Sequence, residues 1–463
     1  MLQSEGDLQR TIGTYMAQIL PFAAWRYDPA KVRLEDVLTQ PYDKITPAMQ
    51  AAYYEKSPYN LVRVELCKKE AADDEKHTAY TRAAEFLNQC RRDGAIVQDP
   101  EPAIYAYSQT FAVPGRAEVM MTRRGFIALS RLHDYADQVV FRHELTLAKP
   151  KADRLNLLRA TKAHTGQIFM LYSDRERQVD TVLWAEAART APHAEMKDEY
   201  GVIHRLWRVT EAGAVLSIRN HMEDKKLIIA DGHHRYETAL AYRNECRGDD
   251  GMDFADFGRT GHMAVKVRAP YEQLMMTFIN MDDEGLLILP THRVVSSLFG
   301  FSAEKMLADA APYFEVSDLG ANLTAEAALE QLHSAGEDGP AFIAKTAKAT
   351  HLLRSKKDAV AQRLAAQPER QRQLDVVQLH KVLLEGVLGI SEEAIRNQIN
   401  LEYLRSAAEA FQRVDSGANV AFLMNPVKIQ QMRDIALAGE VMPQKSTDFY
   451  PKLMSGLTIY GLE

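Results

Sequence analysis

The sequence predicts a mixed α/β (α+β) protein, and three observations predict it. Short apolar runs bounded by turn residues alternate with segments whose apolar residues recur at helical spacing. The 463 residues exceed one ordinary domain of roughly 100–200 residues and leave room for two or three. The texture also changes after about Ser296, from interleaved strands and helices to longer helical stretches. A boundary there gives a region 1–295 carrying the candidate chemistry and a helix-rich α/β domain 296–463.

The elements follow in order. Asn60 to Leu66 alternates like a strand, which would put Arg63 and Glu65 together on a solvent face. Asp74 to Arg92 is predicted helical, with Tyr80, Ala83, Ala84, Phe86 and Leu87 near helical spacing and Gly94 as the stop. Ile104 to Phe111, Gly125 to Ser130 and Ile168 to Tyr172 read as strands, and Asp153 to Lys162 as a helix. Lys226 to Ala230 is an apolar strand followed by a helix carrying Tyr236, Ala239, Leu240 and Arg243. Further strands are expected around His262 to Val267, Met276 to Met281 and Leu286 to Leu289, where Pro290 ends the last. Helices are expected over Thr324 to His333, Asp375 to Leu388 and Leu401 to Phe411, and a strand near Asn419 to Met424. Ala365 to Gln371, polar and interrupted by Pro368, reads as a surface connection.

The formal net charge of -7 excludes an overall basic footprint of the kind that binds nucleic acid. Cys67, Cys90 and Cys246 are too few and too scattered for a disulfide framework or a four-cysteine zinc site. The start Met1-Leu2-Gln3-Ser4-Glu5-Gly6-Asp7 lacks the basic character of a signal peptide, and no apolar run reaches the roughly 20 residues of a membrane span. A cytoplasmic protein without membrane contact is the expectation.

The densest chemistry lies at Asp231-Gly232-His233-His234-Arg235. Gly232 sits where an apolar strand must turn sharply into a helix. The helix N-terminus offers unpaired backbone N–H groups to an anion. His233, His234 and Arg235 add side chains suited to phosphate oxygens, and Arg235 can take two at once. Asp231 is placed to hold a magnesium ion or to orient an attacking hydroxyl. The alternative makes Asp231 a helix cap and the histidines structural. Four polar residues in one turn after an apolar strand favour phosphate. Adjacent histidines point in different directions, which argues against zinc.

A second cluster is His143-Glu144 with Lys151, Asp153, Arg154 and Arg159. Glu144 is a candidate general base, and Lys151 and Arg154 are candidate ligands of a phosphate or carboxylate; a salt-bridged loop and helix start accounts for the same residues. Pro290-Thr291-His292-Arg293 follows a strand and is predicted to open a helix, again at a strand's C-terminal end. Met442-Pro443-Gln444-Lys445-Ser446-Thr447, with Lys452 beyond it, lacks the glycines of a Walker loop. Gln40-Pro41-Tyr42-Asp43 is a turn. Rossmann, HExxH and GxSxG signatures are missing.

Together these segments resemble the domain of unknown function 1015 family. Asp231-Gly232-His233-His234-Arg235-Tyr236 looks like its hallmark. Pro41-Tyr42-Asp43, Ser57-Pro58-Tyr59-Asn60, His143-Glu144, Lys151-Ala152-Asp153-Arg154, Pro290 to Arg293 and Met442 to Thr447 with Pro451-Lys452 fit the rest. The turn is also similar to the phosphate-binding turn of the ParB/sulfiredoxin superfamily, most of all to that of its free-serine kinases.

The resemblance implies a ParB/sulfiredoxin-like core with large insertions and a phosphotransferase that forms O-phosphoserine from L-serine. Pyrophosphate, ATP or ADP would be the donor. Asp231, Gly232, His233, His234 and Arg235 would bind the donor phosphate with Mg²⁺, and an acid among Glu65, Asp43 and Glu144 would activate the hydroxyl. Arg63, His143, Thr291, His292, Arg293, Lys445 and Thr447 would contact substrate. Two alternatives stand beside it: a nucleotide-binding, partition-protein-like or DNA-associated module, and a phosphoserine phosphatase. Sulfiredoxin chemistry itself would need a cysteine where this turn has histidines. The expected partner is a small-molecule substrate with its phosphate donor, and nucleic acid is not expected.

Overall fold

A computed structural model describes residues 17–144, 148–249 and 269–463. The strand expected around His262 to Val267 lies outside these residues. The fold is mixed α/β with mixed sheets. The chain divides into two compact units. One comprises Met1–Phe141, Leu147–Gly285 and Pro451–Glu463; the other comprises Arg142–Thr146 and Leu286–Tyr450.

Among the described residues the first unit forms a nine-stranded sheet. Its strands in chain order are β1 (Ile19–Leu20), β2 (Ile104–Val113), β3 (Arg116–Arg131), β4 (Val140–Phe141) and β5 (Ile168–Tyr172), then β6 (Ala194–Lys197), β7 (Ile203–Val209), β8 (Leu227–Asp231) and β9 (Gln273–Asn280). The spatial order is β4-β8-β5-β9-β3-β2-β7-β6, with β1 beside β3. β5 and β9 are buried along their whole length, which explains why Ile-Phe-Met-Leu-Tyr at 168–172 is continuously apolar rather than alternating. β8 is antiparallel to β5, so the C-terminal end of β8 meets the N-terminal end of β5. That crossing of directions brings Asp231 to the segment around Gly166.

Helices α1 (Val62–Glu65), α2 (Ala79–Arg92), α3 (Ala148–Thr161) and α4 (His233–Asp249) belong to this unit. The core includes Ile229, Tyr236, Met276 and a stacked pair, Phe126 and Phe278, with ring centroids 4.9 Å apart. α4 is tied down along its length. Tyr236 donates its hydroxyl proton to the His133 carbonyl (2.7 Å), and Arg243 Nη1 donates to the Leu132 carbonyl (3.0 Å). A helix fixed in this way holds its N-terminus still.

The second unit is built on a six-stranded antiparallel sheet of β10 (His292–Val295), β11 (Phe314–Gly320), β12 (Ala341–Lys345), β13 (Thr350–Ser355), β14 (Leu401–Leu404) and β15 (Val420–Met424), in the order β11-β13-β12-β15-β10-β14. Helices α5 (Ala325–Asp338) and α6 (Ala407–Asp415) bury Ala328, Leu332 and Ala410 against Ile343 and Leu423.

Three local expectations are corrected. The stretch at Asn60 is helical, not a strand: Asn60 Oδ1 accepts from Val62 N (2.9 Å), a local turn that starts α1, and Leu61, Val62, Val64 and Glu65 are all buried. Thr291-His292-Arg293 opens β10 rather than a helix, because the β-branched pair Val294-Val295 is buried between β14 and β15. Leu401 to Phe411 is β14 followed by α6, which begins where Ser406 Oγ caps Glu409 N (3.2 Å). The segment Asp375 to Leu388 is helical but passes into a π-helix over Leu379–Val387. The three cysteines form no disulfide, and among the described residues no helix is long and apolar enough to cross a membrane.

Candidate functional site

The site in the first unit grows from the end of β8. Gly232 has φ of +94°, and a Cβ there would lie 3.2 Å from Ile168 Cδ1, so both backbone and space call for glycine. Asp231 Oδ1 accepts from Gly232 N (2.8 Å), and Oδ2 accepts from Lys452 Nζ (2.9 Å). Burial alone would push the Asp231 carboxyl up, but the Lys452 and Arg235 charges beside it hold it well below the usual carboxylate range. Asp231 is therefore an anion at neutral pH, matched by a lysine that is itself largely buried.

Arg235 lies in the first turn of α4 and donates from Nη1 to the Gln167 carbonyl (2.6 Å). Gly166 makes this approach possible. A Cβ at 166 would stand 2.7 Å from Arg235 Nη1, 3.3 Å from Ser455 Oγ and 3.6 Å from Glu65 Oε1, so three polar groups converge on one glycine. Glu65 is 3% exposed and accepts at Oε1 from Thr165 Oγ1 (2.7 Å). Arg154 donates from Nη1 to the Glu65 carbonyl (2.8 Å) and lies over the Tyr42 ring, 4.3 Å from its centroid. Burial pushes the Tyr42 hydroxyl up to about 12, so it stays protonated.

Some of these residues line a cavity of about 50 Å³, which has Glu65, Arg154, His164, Thr165, Gly166, Arg235 and Thr238 on its wall. Several polar atoms at or beside it are buried without a hydrogen-bond partner among the described residues: Arg235 Nε and Thr238 Oγ1 on its wall, with Gln167 Nε2 and Ser455 Oγ next to Gly166. Buried polar groups are normally satisfied, so these orphans make the cavity the candidate place for a polar ligand.

The structure sorts the sequence candidates. Asp231, Gly232, Arg235, Glu65 and Arg154 come together. His233 is buried and His234 half-buried at the start of α4. Lys151 on α3 pairs with Glu237 on α4. Asp43 is exposed and does not line the cavity. Arg63 donates to the Ser57 and Tyr54 carbonyls (3.0 Å each) and stacks on Tyr54, away from the cavity wall. Thr165, Gly166, Gln167, Thr238 and Ser455 are residues at or beside the cavity that the sequence did not single out, and Lys452 was visible only as part of a motif.

The remaining candidates gather in the second unit around the loop 442–447. His143 Nε2 meets Thr447 Oγ1 (2.7 Å), and Glu144 Oε1 accepts from Ser446 N (2.8 Å) and Thr447 N (3.3 Å). Arg293 is fully buried. It donates to the carbonyls of Thr291 and Lys445 (3.0 Å to the latter) and to His380 Nε2 (3.3 Å), with Tyr403 against its face. His292 accepts from Met424 N (3.4 Å), and burial pushes its imidazole down to about 3. Glu144 is thus engaged in holding a loop. Lys445, in a left-handed conformation at φ +57°, is the exposed residue that the loop presents.

Among the described residues no group of three or more His, Cys, Asp or Glu is placed to hold a metal ion. Asp231 offers a single carboxylate, with Oδ1 on Gly232 N and Oδ2 on Lys452 Nζ.

A family model described as protein of unknown function (DUF1015) matches residues 19–377. Among curated proteins none matches. Similar solved structures include a conserved hypothetical protein from Pyrococcus furiosus, at 12% identity over 72% of this chain and 95% of that one, with a TM-score of 0.32. A free serine kinase in complex with AMP is similar at 10% identity over 72% and 92%, with a TM-score of 0.34. C-terminally truncated SbnI from Staphylococcus aureus is similar at 10% identity over 72% and 87%, with a TM-score of 0.35. Likenesses of that order assign no activity.

Proposed function

We propose, for a chain that belongs to the DUF1015 family of proteins of unknown function, a small-molecule phosphotransferase activity, with L-serine or a similar small hydroxy acid as acceptor. The observation that carries this reading is the set of orphaned polar atoms beside a fixed cation, a half-buried carboxylate and a buried one: Arg235 Nε, Ser455 Oγ and Thr238 Oγ1 next to Lys452, Asp231 and Glu65. Phosphoryl transfer needs charge neutralisation and positioning more than covalent help, and this is what such a set supplies.

The roles follow from chemistry. Arg235, Lys452 and the N-terminus of α4 neutralise the transferring phosphoryl group. Asp231, held as an anion by its two cations, is a poor base and a suitable anchor. Glu65, closed off from water, takes the proton of the acceptor hydroxyl as its oxygen bonds to phosphorus and the bond from phosphorus to the donor's leaving oxygen breaks. Arg154, beside Glu65, suits an acceptor carboxylate. A magnesium ion bound with the donor would rest on Asp231 and offset phosphate charge. The donor is pyrophosphate or a nucleotide.

The reading is tested by calorimetric titration of inorganic phosphate and pyrophosphate. The wild type is expected to bind both, and Arg235→Ala at least about tenfold more weakly. Equal binding by the folded variant removes Arg235 from the site.

A further inference from the structure

Two residues outside every sequence motif hold the segment that delivers Lys452. Gln109 on β2 and Arg123 on β3 are direct cross-strand partners, so their side chains share one face of the sheet. Both are 1% exposed. Gln109 Nε2 donates to the Lys452 carbonyl (2.8 Å). Arg123 donates from Nη2 to the Pro451 carbonyl (2.5 Å) and from Nε to Gln109 Oε1 (3.0 Å). Its guanidinium lies 4.6 Å from the ring centroid of Phe169, which is the register partner of Asp231 on β5.

The need for such a brace is plain from the backbone. Pro451 and Lys452 lie in an irregular segment, where no helix or ladder dictates the position of a carbonyl. A lysine side chain has four rotatable carbons and a strongly hydrated head, so left to itself it samples solvent rather than one carboxylate. Here the two carbonyls that precede and include its Cα origin are each gripped by a buried donor, and the ammonium arrives 2.9 Å from Asp231 Oδ2. Burial pushes the Arg123 guanidinium down to about 10, which leaves it charged at neutral pH and a strong donor to both carbonyl and amide oxygens.

We propose that Gln109 and Arg123 are positioning residues that fix the backbone from which Lys452 reaches Asp231, and so set the cation of the phosphate site. The contact itself is independent of any reaction; its effect on ligand affinity rests on the phosphate-site reading above.

Gln109→Glu isolates the claim. Glutamate keeps an acceptor for Arg123 but loses the donor to the Lys452 carbonyl, so the sheet stays closed while the grip on Lys452 is lost. Gln109→Met, which drops both bonds, serves if the glutamate perturbs folding. Two measurements are made on the full chain. The first is the labelling rate of each lysine by an amine-reactive reagent, read by mass spectrometry without ligand. Lys452 is expected to label about tenfold faster in the variant while other lysines keep their rates. The second is pyrophosphate affinity in a cycle with Lys452→Met. Gln109→Glu is expected to cost about tenfold in the wild-type background and less than about twofold once Lys452 is gone.

Unchanged labelling of Lys452 overturns the proposal, and so does an equal loss of affinity in both backgrounds. Uniformly faster labelling of all lysines means general loosening and overturns it as well. If Lys452 alone labels faster and the wild type binds no pyrophosphate, the positioning holds and the phosphate-site reading fails.

Discussion

Gly166→Ala places a single methyl group where the site has least room. The added Cβ would stand 2.7 Å from Arg235 Nη1, whereas comfortable contact begins at roughly 3.4 Å. The guanidinium must therefore retreat by about 0.7 Å or more. Its hydrogen bond to the Gln167 carbonyl, at 2.6 Å, lengthens or breaks. The other two neighbours, Ser455 Oγ at 3.3 Å and Glu65 Oε1 at 3.6 Å, need to move little. The group that yields is the far end of a flexible side chain, so the fold should lose less than about 1 kcal/mol. Phosphate binding depends on where that end sits. Losing the geometry of one charge-assisted donor costs about 1.5–3 kcal/mol, or roughly 10- to 100-fold in Kd. The assay is calorimetric titration of phosphate on wild type, Gly166→Ala and Arg235→Ala, with melting curves for each. Wild-type affinity in Gly166→Ala, alongside weakened binding in Arg235→Ala, would refute the geometry: Arg235 would then bind phosphate from a different position.

Three further outcomes are expected. Glu65→Gln should lower turnover about 10²–10⁴-fold while donor affinity changes little, measured as separate kcat and KM values; a pure KM effect would move Glu65 from proton acceptor to ligand. Arg293→Met leaves the Thr291 and Lys445 carbonyls without their donor, and should destabilise the second unit by about 2–4 kcal/mol. It should also raise hydrogen exchange at Ser446 and Thr447, and unchanged exchange there would show that the loop is held by other means. Asp375 sets a pH dependence. Burial pushes its carboxyl up to about 7 from an ordinary 3.8, so the folded chain holds the proton more tightly than the unfolded one. The resulting stability is complete below about pH 4, falls as pH rises through about 7 and is level beyond. Asp375→Asn should therefore match wild type near pH 4 and exceed it by about 2–4 kcal/mol at pH 8, read by calorimetry at both values. Equal gains at both would point to packing instead of titration.

What was legible in the sequence was local. The apolar runs at 168–172 and 227–230 and the glycine between Asp231 and His233 declare strands and a turn, because buried strands and positive φ constrain neighbouring residues directly. What was not legible depends on partners far along the chain. Asp231 meets a lysine 221 positions away, and Glu144 meets amides 302 and 303 positions away. Gly166 does not have a positive φ and matters through what approaches it. Asn60 to Leu66 misled for a related reason: charged Arg63 and Glu65 alternating with apolar Leu61, Val62 and Val64 resemble a half-exposed strand, yet burial on several sides and the Asn60 turn make it one helical turn. His143, Glu144 and Arg293 read as ligands from their chemistry, while their partners in the fold are atoms of the loop that presents Lys445, and His292 is bonded to the neighbouring strand at Met424.

The central claim is tested most directly by ³¹P NMR of the purified chain with L-serine, Mg²⁺ and, separately, pyrophosphate, ATP and ADP. The account predicts a growing phosphoserine resonance with one donor, absent in Asp231→Ala and Arg235→Ala variants that remain folded. No phosphoryl transfer from any donor, together with no binding of phosphate or pyrophosphate by the wild type, would contradict it.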